Sequence, residues 1–262
     1  MKIFFLTVFP NLVEEIIKNL SITKRALRSK RISFYVVNIR DFAFDKHRQV
    51  DDYVYGKGKG MLLKFEPVFR ALQFAKRKSS NPYIILPSPR GKVLDKYIIS
   101  DLSKMDEFIF ICPNYEGVDG RILRFINEEL SIGDYVISSG ELASFVILEA
   151  VLRFKYKDQE EPLVEKENLM DDSFCYMGMD FLIEPSQYTR PRKVLVNNYD
   201  IEIEEYLYSG NHKVINENLL KEAIETTIYK KPYLYKYFLQ NYKDIINKNV
   251  LYEAVMNSVV PS

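Results

Sequence analysis

At 262 residues the chain has room for one large domain or two modest ones, and its 47% hydrophobic content can bury a sizeable core. Charged residues make up 28% yet nearly cancel, to +1, so a nucleic-acid partner would have to be met by local basic surface and not by net charge. Two cysteines, Cys112 and Cys175, exclude a disulfide framework, and the apolar run Ile3 to Phe9 is too short for a membrane span and lacks the flanks of a signal peptide, so a cytoplasmic protein without a membrane partner is expected.

Ile3 to Phe9, short, β-branched and aromatic, predicts a buried strand. Asn11 followed by Glu14 reads as a helix start, with Leu12, Ile16, Ile17 and Leu20 as the apolar face. Ile32 to Ile39 is a second strand. Asp41 to Lys59 is polar and turn-rich and ends in a glycine–lysine alternation, Gly56 to Gly60. Pro67 marks a helix start, with Val68, Leu72 and Phe74 on its apolar face.

Tyr83 to Leu86 predicts a strand stopped by Pro87 and Pro89, Phe108 to Cys112 a strand stopped by Pro113, and Tyr135 to Ile137 a short strand before Ser138, Ser139 and Gly140. Glu141 to Phe154 predicts a strongly apolar helix. Strands alternating with helices imply a mainly parallel α/β sheet covered on both faces, whose ligand lies at the strands' C-terminal ends. Lys155 to Asp172, charged and without an apolar period, reads as a linker or mobile segment. From about Lys213 the pattern turns helical, which predicts a small helical C-terminal domain.

Individual motifs are ambiguous. Gly56 to Gly60 has neither P-loop nor dinucleotide-binding spacing, and a flexible loop or a basic RNA-facing loop fits it equally. His47 and His212 with the two cysteines do not make a zinc site. Tyr115-Glu116-Gly117 after a buried strand suits a small-molecule pocket or a capped turn. Small residues around Ser131 to Gly140 admit close approach of a ligand or of a packed helix. Tyr233, Tyr235, Tyr237, Phe238 and Tyr242 interleave with lysines, as in an RNA-binding surface or an ordinary amphipathic helix.

Taken in order, however, the pieces are specific. Arg40-Asp41-Phe42, Asp45 to Asp52, Tyr55-Gly56, Ser88-Pro89, Tyr115-Glu116-Gly117, Ser131 to Val136, Gly140-Glu141-Leu142, Arg153-Phe154, Asp172-Ser173-Phe174, Tyr188 to Pro191 and Ser209 to His212 together resemble the bacterial tRNA (guanine-N1)-methyltransferase (TrmD) family along nearly the whole chain. The resemblance implies methyl transfer from S-adenosylmethionine (SAM) to N1 of the guanosine 3′-adjacent to the tRNA anticodon, with magnesium dependence. It also implies an obligate homodimer and the SPOUT fold, an α/β parallel sheet whose C-terminal part is tied into a trefoil knot. The division would be a SAM-binding domain over 1–156, a flexible linker over 157–176 and a helical tRNA-binding domain over 177–262. An alternative is a tRNA-binding paralogue on the same scaffold whose catalysis has weakened or changed.

Carried over by position, the cofactor-binding residues are Leu86, Pro87, Ser88 and Pro89; Pro113, Tyr115, Glu116 and Gly117; and Ile132, Gly133, Tyr135, Ile137 and Gly140. Asp172 is implied as the general base for the guanine N1 proton and Arg153 as the cation near O6. His47, Arg48, Asp51, Tyr55, Gly58 and Ser173 would lie near the tRNA. The chain departs from the family pattern where Pro113 and Asn114 replace glycine and arginine, Ser139 replaces glycine, and Pro87 replaces a non-proline residue. Pro113 removes a backbone donor and Asn114 removes a cation.

Overall fold

In a sheet covered on both faces, successive side chains must alternate between two cores, and the first strand of the computed structural model does so. The model describes residues 1–56, 60–156, 174–197, 199–244, 246 and 248–259, with no side-chain description for 248, 249 and 256–259. Strand β1 (Lys2–Thr7) sends Ile3 and Phe5 into one core and Phe4 and Leu6 into the other. Helices α1 (Pro10–Asn19) and α2 (Ser21–Arg28) follow, then β2 (Ser33–Asn38), parallel to β1. The helix starts at Pro10, one residue before the expected Asn11, because proline suits the first helical position. Its phase accordingly buries Val13 and Ile17 and leaves Leu12 exposed.

The polar stretch beyond Asp41 is not wholly irregular. It holds a small antiparallel ribbon, β3 (Asp51–Tyr53) with β4 (Met61–Leu63), too short and mixed in pattern to be read from the sequence. Next come α3 (Phe65–Arg77), β5 (Tyr83–Val93), α4 (Lys96–Ser103), β6 (Glu107–Ile111), β7 (Glu128–Ser131) and α5 (Gly140–Lys155). The main sheet runs β2-β1-β6-β5-β7, all parallel.

Two strand expectations are corrected. Strand β5 does not stop at Pro87 and Pro89. It pairs with β6 only through Ile85, so beyond that point one side of β5 is an edge, where a missing N–H is tolerated. Pro87 and Lys92 both face Leu130, so residues 88–91 are looped out of the ladder with β7. Nor is Tyr135 to Ile137 a strand. The last strand of the main sheet is β7, and Tyr135, Val136 and Ile137 are exposed loop residues.

Helices α1, α2 and α5 cover one face of the sheet and α3 the other. Phe5 is fully buried between Phe110 (ring centroids 5.4 Å apart) and Phe145 (4.7 Å). Phe5→Ala removes the ring that joins two strands to α5 and is expected to cost about 3–5 kcal/mol, read as a lower urea midpoint at unchanged slope.

The chain divides into two compact units, Met1–Val164 and Glu165–Ser262. The second is not purely helical as expected. It opens with two antiparallel ribbons, β8 (Cys175–Tyr176) with β9 (Met179–Asp180) and β10 (Lys193–Val196) with β11 (Tyr199–Glu202). Helices α6 (His212–Lys230), α7 (Pro232–Tyr242) and α8 (Lys248–Val259) follow. Its core gathers Phe181, Leu182, Ile224, Phe238, Ile246 and Ala254. The aromatic–lysine stretch is split by this packing: Phe238 is fully buried and Tyr235 and Tyr242 lean on the core, while Tyr233 and Tyr237 are exposed. Among the described residues no helix is long and apolar enough to cross a membrane.

Candidate active site

Because β6, β5 and β7 are adjacent and parallel, the segments that follow them leave from one edge of the sheet. These are residues 86–91 at the end of β5, 112–117 after β6 and 132–139 after β7. All the expected cofactor residues lie in them or at the α5 terminus, and this is the edge at which open α/β sheets receive ligands.

The β6 exit is a tight turn. Gly117 N–H donates to the Asn114 carbonyl at 3.0 Å, with Tyr115 (φ 57°) and Gly117 (φ 115°) in left-handed conformations. The turn is tied to the β3–β4 ribbon: Glu116 N–H donates to Met61, Leu63 N–H to Gly117 and Asp119 N–H to Leu63, each at 3.0 Å. Tyr115 and Glu116 are exposed. The β7 exit is pinned by Ser131, whose hydroxyl bonds Gly133 N–H (3.1 Å) and its carbonyl (2.9 Å). Tyr135 folds back over Gly133 and its hydroxyl donates to the Ile132 carbonyl at 3.3 Å. At the β5 end Leu86 and Pro87 are buried, Ser88 is half-buried and Pro89 exposed.

The segment before α5 returns to the end of β6. Gly140 N–H donates to the Pro113 carbonyl at 2.9 Å, and a Cβ at Gly140 would overlap the Pro113 ring and backbone. Proline at 113 is therefore compatible with this contact, which uses only its carbonyl. Ser139 caps α5, accepting from Leu142 N–H at 3.3 Å. Asn114 and Ser139, both departures from the family pattern, converge on Glu141. Its carboxylate is fully buried and also accepts from the Thr7 hydroxyl. In the sequence Glu141 entered only as part of the Gly140-Glu141-Leu142 motif and was given no role, and Thr7 was not singled out, since an acid in the first turn of a helix is ordinarily a solvated partner of the helix dipole. A cleft of about 620 Å³ is lined by Val8 to Leu12 after β1, Asn114 and Tyr115 after β6, and Ser138 and Ser139. Of the expected cofactor-binding residues only Tyr115 lines it.

Cys112 is no candidate nucleophile. Burial, and then the charge of Glu141, push its thiol well above the usual range.

Arg153 is exposed on α5, and with Leu142, Val146 and Glu149 it forms the one outward stripe of an otherwise buried helix. Asp172, Ser173 and Gly58 lie outside the described residues. His47 and Arg48 are exposed in a loop shaped by Asp45, which accepts from His47 N–H (3.0 Å) and Gln49 N–H (3.1 Å to the same oxygen). These amides, Gln49's first, hold the Asp45 carboxyl below its usual range. Arg48 reaches Asp41 at 3.6 Å. Asp51 is half-buried in β3 and Tyr55 is fully exposed. Among the described residues no group of three or more His, Cys, Asp or Glu side chains is placed to hold a metal ion, so they do not fit a dedicated magnesium site.

The family model described as tRNA (Guanine-1)-methyltransferase TrmD matches residues 1–237. A tRNA (guanine-N(1)-)-methyltransferase of Fervidobacterium nodosum is 39% identical over 251 residues, covering 96% of this chain and 95% of the relative. Proteins of the same name from Persephonella marina (41%; 90% of this chain, 88% of the relative) and Mycoplasmopsis synoviae (40%; 88% and 96%) are similarly related. With a match of this extent, the chain belongs to the tRNA (guanine-1)-methyltransferase TrmD family.

Proposed function

We propose that this protein transfers a methyl group from SAM to N1 of the guanosine 3′-adjacent to the tRNA anticodon. The observation that carries the reading is the convergence of the segments after β5, β6 and β7 at one sheet edge, beside a cleft of about 620 Å³, a volume ordinary for a small-molecule site. Turn backbone and small residues at that edge suit an adenosine recognised through main-chain groups. SAM supplies an electrophilic methyl group.

The chain supplies the proton chemistry. Guanine N1 is a weak acid and a poor nucleophile while protonated. The Asp172 carboxylate takes that proton, and Arg153, carried outward on α5, stabilises the negative charge that then gathers on O6. Tyr55, His47 and Arg48 are exposed and available to RNA, and Asp51, Gly58 and Ser173 complete the tRNA-facing set.

The same reading assigns 1–156 to the SPOUT domain, 157–176 to a linker and 177–262 to tRNA binding. A trefoil knot is supported by the path of the chain, which goes out to β7 at the sheet margin and then back to seat Gly140 against Pro113. A homodimer is supported by the exposed apolar residues Phe9, Leu12, Leu142 and Val146, which a second copy would cover. We place the dimer in the cytoplasm. Catalytic weakening has no support at positions 114 and 139, whose side chains both donate to the Glu141 carboxylate.

The test is calorimetric titration with SAM, followed by methyl transfer to unmodified tRNA transcripts carrying guanosine or adenosine 3′ to the anticodon. Binding in the micromolar range and guanosine-dependent transfer are expected. SAM binding without transfer to either transcript would sink the assignment.

A further inference from the structure

A carboxylate removed from water is held only when its oxygens find donors. Glu141, in the first turn of α5, is fully buried. Its Oε1 accepts from the Thr7 hydroxyl and from Asn114 Nδ2 at 3.0 Å, and its Oε2 accepts from the Ser139 hydroxyl at 2.8 Å, with Asn114 Nδ2 at 3.3 Å. The donors are themselves anchored. Thr7 Oγ1 accepts from Phe9 N–H at 2.8 Å, and Ser139 Oγ accepts from Leu142 N–H. The helix N-terminus adds a favourable field.

The three donors come from three separate segments: the end of β1, the turn after β6 and the loop before α5. Those same segments form the walls of the cleft, which is lined by Val8, Phe9, Asn114 and Ser139 among others. One buried group thus fixes the spacing of all three walls. Nothing in the packing of the apolar cores requires an acid at this position. Two of its partners, Asn114 and Ser139, are neutral donors aimed at a single anion.

We infer that Glu141 is a positioning residue for the cofactor. Its carboxylate ties the β1, β6 and α5 segments into the shape that receives SAM, and it touches neither SAM nor the guanine. This rests on the SAM reading above.

The test is a reciprocal exchange in the full-length protein. Glu141→Gln sets two amides against each other, and Asn114→Asp sets two carboxylates together. Each is expected to weaken SAM binding by on the order of ten- to a hundredfold, the equilibrium consequence of an unsatisfied hydrogen bond to a charged group. The double variant Asn114→Asp with Glu141→Gln restores one amide and one carboxylate with reversed polarity, and the Thr7 and Ser139 hydroxyls can turn to serve either atom. It is expected to recover most of the loss. In all three, KM for SAM should move while kcat at saturating SAM and KM for tRNA stay within about twofold.

Unchanged SAM affinity in the folded single variants overturns the proposal, as does a double variant no better than the singles. A parallel loss of SAM affinity, tRNA affinity and melting temperature also overturns it, because that is the signature of a merely structural group. Should the Glu141 variant fail to fold, Asn114→Ala, which leaves Glu141 two hydroxyl donors, is expected to weaken SAM binding about tenfold, and an unaltered affinity is then the overturning result. Failure of the unmodified protein to bind SAM would instead strike the cofactor reading, so the two failures are distinguishable.

Discussion

Asp172→Ala is expected to lower methyl transfer at neutral pH by about 10²–10⁴-fold, the usual contribution of a positioned general base, while SAM binding stays intact. The residue lies outside the described part of the structure, so the expectation rests on the match of Asp172-Ser173-Phe174 to the family pattern and on the acidity of guanine N1. Without the carboxylate the N1 proton must go to solvent or hydroxide, so the residual rate of the variant should climb with pH. The unmodified enzyme, with the carboxylate in place of hydroxide as the acceptor, should climb less steeply. Single-turnover rates at saturating SAM across a pH series separate the two. A residual rate flat in pH, or a loss of SAM binding equal to the loss of turnover, would remove Asp172 from the role of base.

The second large effect is expected at Gly140. A side chain there meets the backbone of Pro113 and not the end of a flexible group, so nothing yields without moving the β6 exit or the α5 terminus. The same shift would break the bond from Gly140 N–H to the Pro113 carbonyl. Gly140→Ala is therefore expected to destabilise the chain by about 1–3 kcal/mol, the range for overpacking, and to weaken SAM binding with it. Gly120→Ala is the control, since a Cβ there meets nothing within 4 Å. Its effect should stay within about 0.5 kcal/mol. Urea midpoints and SAM titrations on both variants decide the matter. Equal stability of the two would mean that the Gly140 contact does not hold the loops together.

Much of the fold was legible along the chain. The apolar runs at Ile3, Ile32, Tyr83 and Phe108 are strands, and Glu141 to Phe154 is a helix, because the inner strands are covered on both faces, nearly the whole helix is buried, and continuous apolarity is the direct mark of that. What failed depends on partners distant in sequence. Pro87 reads as a strand breaker until β6 is seen to end its pairing at Ile85. Tyr135 to Ile137 looks like a strand by composition, yet Glu128 to Ser131, with two acids, is the strand, because Leu130 and Ser131 are buried against β5.

For the site, the sequence by itself named the candidate segments. Ordered motifs from Arg40 to His212 identify a family, and through it name the loops, Arg153 and Asp172. Only the tertiary structure decided where Asn114 and Ser139 reach. Each was seen from the sequence as a missing cation or a missing glycine, and each proves to donate to one buried carboxylate together with Thr7, more than a hundred residues away at a separation of 134. The physical reason is burial. A hydrogen-bond donor has no preferred partner while both groups are in water, and Glu141 acquires its value only once the fold removes every alternative acceptor and donor from its surroundings.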